Sequence, residues 1–151
     1  MRQVKNAFTL IELMTVLLFL AAFAYIAVIR VPTALLDNYK SGTFAKKLIT
    51  DMRLARSMAI TDAAGNNTGF VVVMLGSQPY RNYEIRNDAN DAVVSSFSID
   101  PKISCTGGSN FHFGPLGNLV SGSGTQLNIS AAGKTSTITI VAATGSIKCE
   151  N

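Results

Sequence analysis

Few side chains in this sequence are placed to do chemistry, and the one that most needs a reason is a carboxylate. Glu12 lies in Phe8-Thr9-Leu10-Ile11-Glu12-Leu13, at the head of an apolar run that continues to Ile29. On insertion scales an acid costs about 2.5–3.5 kcal/mol at the centre of a bilayer and less near its surface. It therefore wants either a cationic partner or the favourable dipole of a helix N-terminus. The remaining reactive residues are sparse. Cys105 and Cys149 are the only cysteines and His112 the only histidine, with no Cys-x-x-Cys, so neither a metal nor a cofactor is expected. His112 stands between Phe111 and Phe113 in a short β-type stretch, where alternation assigns it to the face away from the rings, the solvent face. It lacks a local partner for base catalysis. Gly122-Ser123-Gly124 reads as a flexible turn without a phosphate-binding fingerprint. No catalytic constellation is present, and the chain is not expected to be an enzyme.

The elements that must carry these residues follow from composition and periodicity. The 151 residues are 48% hydrophobic and only 15% charged, with much of the excess in the first thirty positions. That length allows one ordinary domain plus an anchor. Phe8 to Ile29 is 22 residues, about 33 Å as a helix, enough to cross a bilayer core. Arg2 and Lys5 precede it and would remain cytoplasmic by the positive-inside rule, placing the rest of the chain outside. Arg30 and several lysines beyond the far end weaken that bias. A secretory signal cut after Ala22-Phe23-Ala24 is the competing reading. It would put Glu12 beside the apolar core of the signal and leave Tyr25 to Val31 as an apolar new terminus.

Arg30-Val31-Pro32 permits a kink. Helical periodicity runs from Leu35 to Asp62, with Phe44, Leu48, Met52, Ala55 and Ala59 on one stripe and Lys46, Arg53 and Arg56 on another face. Gly42 weakens this helix by about 1 kcal/mol relative to alanine, and Gly65 is placed to end it in a left-handed cap. Seven β-type stretches follow: Gly69 to Leu75, Tyr80 to Arg86, Ala92 to Ile99, Phe111 to Phe113, Gln126 to Ser130, Thr137 to Val141 and Ser146 to Cys149. The fold class is α+β, a long N-terminal helix whose amphipathic second half packs on an antiparallel sheet. The expected divisions are 1–7, a short basic segment; 8–30, the membrane segment; 31–64, the amphipathic continuation; and 65–151, a β-rich head.

Phe8-Thr9-Leu10-Ile11-Glu12-Leu13 resembles the signature of the type IV pilin superfamily, and Asp51 to Ile60, with its Leu54-Ala55-Arg56-Ser57-Met58-Ala59-Ile60, is similar to a helix segment of the FimT/GspH group of minor pilins and pseudopilins. Phe113-Gly114-Pro115-Leu116-Gly117 matches that group's Phe-x-Pro-x-Gly turn, and Thr137 to Ile140 followed by Thr144-Gly145 fits its closing strands. The resemblance implies a type IV pilin-like fold and cleavage by prepilin peptidase between Ala7 and Phe8. It also implies methylation of the new Phe8 amine. The usual residue before the cut is glycine, where this chain has Ala7. Glu12 would then be the fifth mature residue, able to pair with its own amine or a neighbour's during subunit assembly. Implied partners are other pilin or pseudopilin subunits, the peptidase, an inner-membrane assembly platform and membrane lipid. Implied roles are priming or joining a type IV pilus, with a type II secretion pseudopilus as alternative.

Some members of the FimT group bind DNA through Gly-Arg-x-Arg, where this chain has Gly145-Ser146-Ile147-Lys148. Most of the phosphate-neutralising charge is missing, leaving Lys134 and Lys148 as candidates for a weak DNA contact. Without Arg2 and Lys5 the 13 basic residues fall to 11 against 9 acidic ones, so net charge argues little for nucleic acid. Outside the cytoplasm Cys105 and Cys149 are expected to form a disulfide. It would close a loop of about 45 residues and contribute roughly 4 kcal/mol.

Overall fold

In the computed structural model, residues 9–29 and 33–150 are described. The chain divides into two compact units, Met1–Thr33 and Ala34–Asn151. The first contains α1, Leu10–Ile29, whose leucines, valines, isoleucines and phenylalanines leave no polar face. Every residue described between 9 and 27 has its side chain exposed.

The second unit takes in α2, Thr33–Thr61, from its second residue onward, and then, among the described residues, eight strands. These are β1 (Phe70–Leu75), β2 (Asn82–Asn87), β3 (Ala92–Ser98), β4 (Ser104–Gly107), β5 (Asn110–Phe113), β6 (Gln126–Ala131), β7 (Lys134–Val141) and β8 (Ser146–Glu150). The class is α+β with antiparallel pairing throughout. There are two sheets where one was expected, ordered β3-β2-β1-β5 and β4-β6-β7-β8. The division arises because β4 pairs with β6 while β5 returns to β1, and such nonlocal pairing leaves no local mark in a sequence.

Alternation places one row of each sheet inward. Phe70 faces Phe113, Val72 lies between Ile85 and Phe111, and Tyr83 lies between Met74 and Phe97. In the second sheet Cys105 faces Ile129, Leu127 faces Ile138 and Ile140 faces Ile147. The α2 stripe joins both rows in a single buried cluster, with Leu48, Met52, Ala55 and Ala59 fully enclosed and Phe44 packed against its margin. Lys46 and Arg53 are exposed as expected, whereas Arg56 is half-buried. Two ion pairs, Lys40–Asp100 at 3.0 Å and Lys102–Asp37 at 3.2 Å, tie the early turns of α2 to the segment after β3.

Gly65 does not end α2 in a left-handed cap, for its φ is not positive. The exit is organised instead by Asn66, whose buried side chain donates to the Gly69 carbonyl (2.7 Å) and Asn87 Oδ1 (2.9 Å). Its Oδ1 accepts from the Thr68 hydroxyl (2.8 Å) and the Gly69 amide (2.9 Å). One side chain thus does the work of a local turn. The β6–β7 hairpin turns on Ala132 (φ 49°) and Gly133 (φ 83°), the two left-handed residues that a tight hairpin turn requires.

Candidate functional site

α1 begins with a cap that the sequence spells as Thr9-x-x-Glu12. Thr9 Oγ1 accepts from the Glu12 amide at 3.3 Å, the Ser/Thr-x-x-Glu arrangement that satisfies a helix's first donors. One turn on, the Thr15 hydroxyl donates to the Ile11 carbonyl at 2.8 Å. Both threonine hydroxyls at the head of this segment are therefore engaged within the helix's own first turns. The Glu12 carboxylate is exposed and has neither hydrogen bond nor ion pair among the described residues. Leu10–Ala27 is long and apolar enough to cross a bilayer and includes this acid. The positive end of the helix dipole lowers the cost of a charge at its first turn, but a dipole does not satisfy four acceptor lone pairs. The expected cleavage point, Ala7 and Phe8, and the Arg30-Val31-Pro32 kink lie outside the described residues.

The motifs quoted for the second unit converge. Arg56 Nε donates to the Gly117 carbonyl at 2.9 Å. Gly117 and Gly145 both hold positive φ, at 77° and 63°. A Cβ on Gly145 would overlap the Gly117 carbonyl oxygen and lie 3.0 Å from Arg56 Nε. The helix segment, the Phe-x-Pro-x-Gly turn and the Thr144-Gly145 turn thus form one joint. Its arginine is occupied by backbone, and its glycines are fixed by closeness and backbone conformation.

A second joint went unassigned in the sequence. Asp51 is 7% exposed and accepts from the Tyr83 hydroxyl at 2.5 Å and from Lys47 Nζ at 3.0 Å. Lys47 Nζ also lies 3.5 Å from the centroid of the Phe97 ring, a cation–π contact. Tyr83 is stacked on Phe97 at 5.3 Å and meets Phe44 edge-on at 6.2 Å. Burial, then the bond to Asp51, push the Tyr83 phenol well above its ordinary pKa. The Lys47–Asp51 spacing of four is the sequence signal that could have found this joint.

Cys105 and Cys149 are not joined, which corrects the expected disulfide. They lie on β4 and β8, the two edges of one sheet, with β6 and β7 between them. Three strand spacings amount to about 14 Å, twice the Cα separation a disulfide spans. Cys105 is enclosed, and burial pushes its thiol up to about 12.

Lys134 and Lys148 are both exposed but do not form one patch. Lys148 pairs with Thr139, so Lys134 lies five residues farther along β7, about 17 Å away. His112 is on the expected face, opposite Phe111 and Phe113, but is half-buried instead of fully solvated. Its Nε2 is 2.7 Å from the Thr68 carbonyl and 3.6 Å from Asp88. Among the described residues no group of three His, Cys, Asp or Glu is arranged to hold a metal. No family model matches the chain, and no curated protein or solved structure proved similar to it.

Proposed function

We propose that the chain is a membrane-anchored filament subunit of the type IV pilin kind, acting as a minor pilin that primes or joins a pilus. The observation that carries this reading is the Glu12 carboxylate, without a partner among the described residues, in an apolar helix exposed from Leu10 to Ala27, beside two threonine hydroxyls engaged within the helix. In lipid each unmet polar group is costly, so the acid calls for a cation supplied from outside α1. The amine released by cutting between Ala7 and Phe8, on this chain or a neighbour, is such a cation. The exposed aliphatic surface of α1 then serves first against lipid and later against other helices. The β-rich unit would ride outside that helical core and select neighbours. The Phe8 to Leu13 signature and the Leu54 to Ile60 segment support the same reading. A type II secretion pseudopilin shares all these features and differs only in its machinery. Lys134 and Lys148, far apart on β7 and β8, lend little to a DNA-uptake role.

N-terminal mass spectrometry of the mature protein tests the proposal. A methylated Phe8 is expected. A terminus at Tyr25 would make the chain a secreted module, and an intact Met1 would make α1 a simple anchor; either result would overturn the proposal.

A further inference from the structure

On the second unit, a cavity of about 240 Å³ opens between the first half of α2 and the start of β7. Its lining includes Asn38, Tyr39, Gly42, Lys46, Lys134 and Ser136, and no carboxylate. That volume is below the ~300–1,000 Å³ of pockets for drug-sized molecules. The other two lysines on α2 are each matched to an acid, Lys40 to Asp100 and Lys47 to Asp51. Lys46 and Lys134 have no ion-pair partner among the described residues, although they come from different elements and share this hollow.

Gly42 is what keeps the hollow open. It sits inside a helix, where glycine is unfavourable, yet its φ is ordinary and nothing lies within 4 Å of the Cβ it lacks. Neither backbone conformation nor close packing demands a glycine here. In the same wall Asn38 Oδ1 is buried with no hydrogen-bond partner among the described residues, so none of those bonds is lost if it rotates toward an incoming group. Tyr39, in the lining, is 76% exposed, and Leu36, three residues earlier on α2, is 54% exposed. An aliphatic and a tyrosine side by side on a surface suit the boundary between lipid and water. Asn38 follows Ala27, the end of the apolar span, by eleven residues. The cavity is thus tied closely in sequence to the end of that span.

We propose that this cavity seats the phosphate of an anionic phospholipid headgroup, held between Lys46 and Lys134 with Tyr39 and Leu36 in the interface. The proposal rests on the membrane reading of α1 and is independent of filament assembly. The test uses the full chain in neutral detergent micelles doped with phosphatidylglycerol or phosphatidylcholine, with retained lipid counted by native mass spectrometry. The wild type is expected to favour phosphatidylglycerol. Each lysine is expected to contribute about fivefold, so Lys46→Gln with Lys134→Gln lowers retention roughly twenty-five-fold. Gly42→Leu, which keeps every charge but fills the cavity, is expected to lower it comparably. Lys148→Gln, remote on β8, is expected to leave it unchanged.

The proposal is overturned if the wild type shows no preference, if Gly42→Leu retains lipid normally, or if Lys148→Gln loses as much as the pair. It is equally overturned if inorganic phosphate or a single-stranded oligonucleotide displaces the lipid at matched concentration. Alkaline extraction of membranes separates the two readings. A chain that resists extraction but lacks the preference removes the headgroup seat alone, and a chain that is extracted removes both.

Discussion

Removing one oxygen, in Tyr83→Phe, isolates the joint between α2 and the first sheet. The phenylalanine keeps the stacking on Phe97 and the edge contact with Phe44. What disappears is the hydroxyl that donates to Asp51. Hydrogen bonds to charged groups contribute about 1.5–3 kcal/mol. Lys47 remains 3.0 Å from the same carboxylate, so Asp51 is not stranded and the expected loss is about 2 kcal/mol. For a unit running from Ala34 to Asn151 that lowers Tm by roughly 6–10 °C. Denaturant unfolding of the full chain in neutral detergent gives the number, and a double-mutant cycle with Asp51→Asn gives the coupling. A pH arm adds an independent sign. The folded phenol has a raised pKa, so its stabilisation is complete below about pH 10, the unfolded value, and is lost as pH rises further. Wild type should therefore weaken above pH 10 more steeply than Tyr83→Phe. A variant within about 0.5 kcal/mol of wild type, or parallel alkaline limbs, would refute the reasoning.

Glu12→Ala is expected to insert into membranes at least as well as wild type but to enter fibres poorly; normal incorporation in a sedimentation assay would remove the pairing role. Gly145→Ala places a Cβ against the Gly117 carbonyl in left-handed backbone, for a loss of at least about 2 kcal/mol, measurable by thermal melting. Cys105→Ala should flatten the stability profile between about pH 9 and about 12, where the unfolded thiol of the wild type ionises while the buried one stays protonated, so stability falls as pH rises. Because Cys105 and Cys149 are not bonded, dithiothreitol is expected to leave the wild-type Tm unchanged.

The helices were legible because their physics is local. α1 announces itself by composition alone, and the Leu48, Met52, Ala55, Ala59 stripe by steps of three and four. Strands rich in β-branched residues were legible for the same reason. β4 was not, for Ser104–Gly107 offers one apolar residue, Cys105, among small polar ones. Its pairing comes from β6, more than twenty positions away. Tyr80 looked like the start of a strand, yet β2 begins at Asn82. The Tyr80 amide instead donates to the Cys105 carbonyl at 2.8 Å, outside the β1–β2 ladder. Hairpin turning at Ala132-Gly133 escaped notice because alanine seldom takes a positive φ. Asp51 was hidden for a different reason. A charged residue in a helix reads as solvent-facing until the tyrosine that accepts it as a neighbour, 32 positions along, is placed opposite.

The same distinction between local and distant causes separates the two sets of motifs. Arg56, Gly117 and Gly145 stood in three separate motifs of the sequence, Gly145 within the stretch compared with a DNA-contacting pattern. Brought together, they satisfy one another: the guanidinium Nε is committed to a backbone carbonyl, and each glycine keeps clear a space its neighbour occupies. Half-buried, with Nε committed to a carbonyl, this arginine has less to offer a phosphate than an exposed one. Glu12 is the reverse. Its near neighbours Thr9 and Thr15 find their partners within one turn of helix, and the carboxylate finds none among the described residues. A group left unsatisfied where its surroundings are apolar has to be met by something outside the element that carries it. Hence the joint at Arg56 holds α2 to two turns of the second unit, whereas under the proposed membrane reading the acid of α1 calls for a partner.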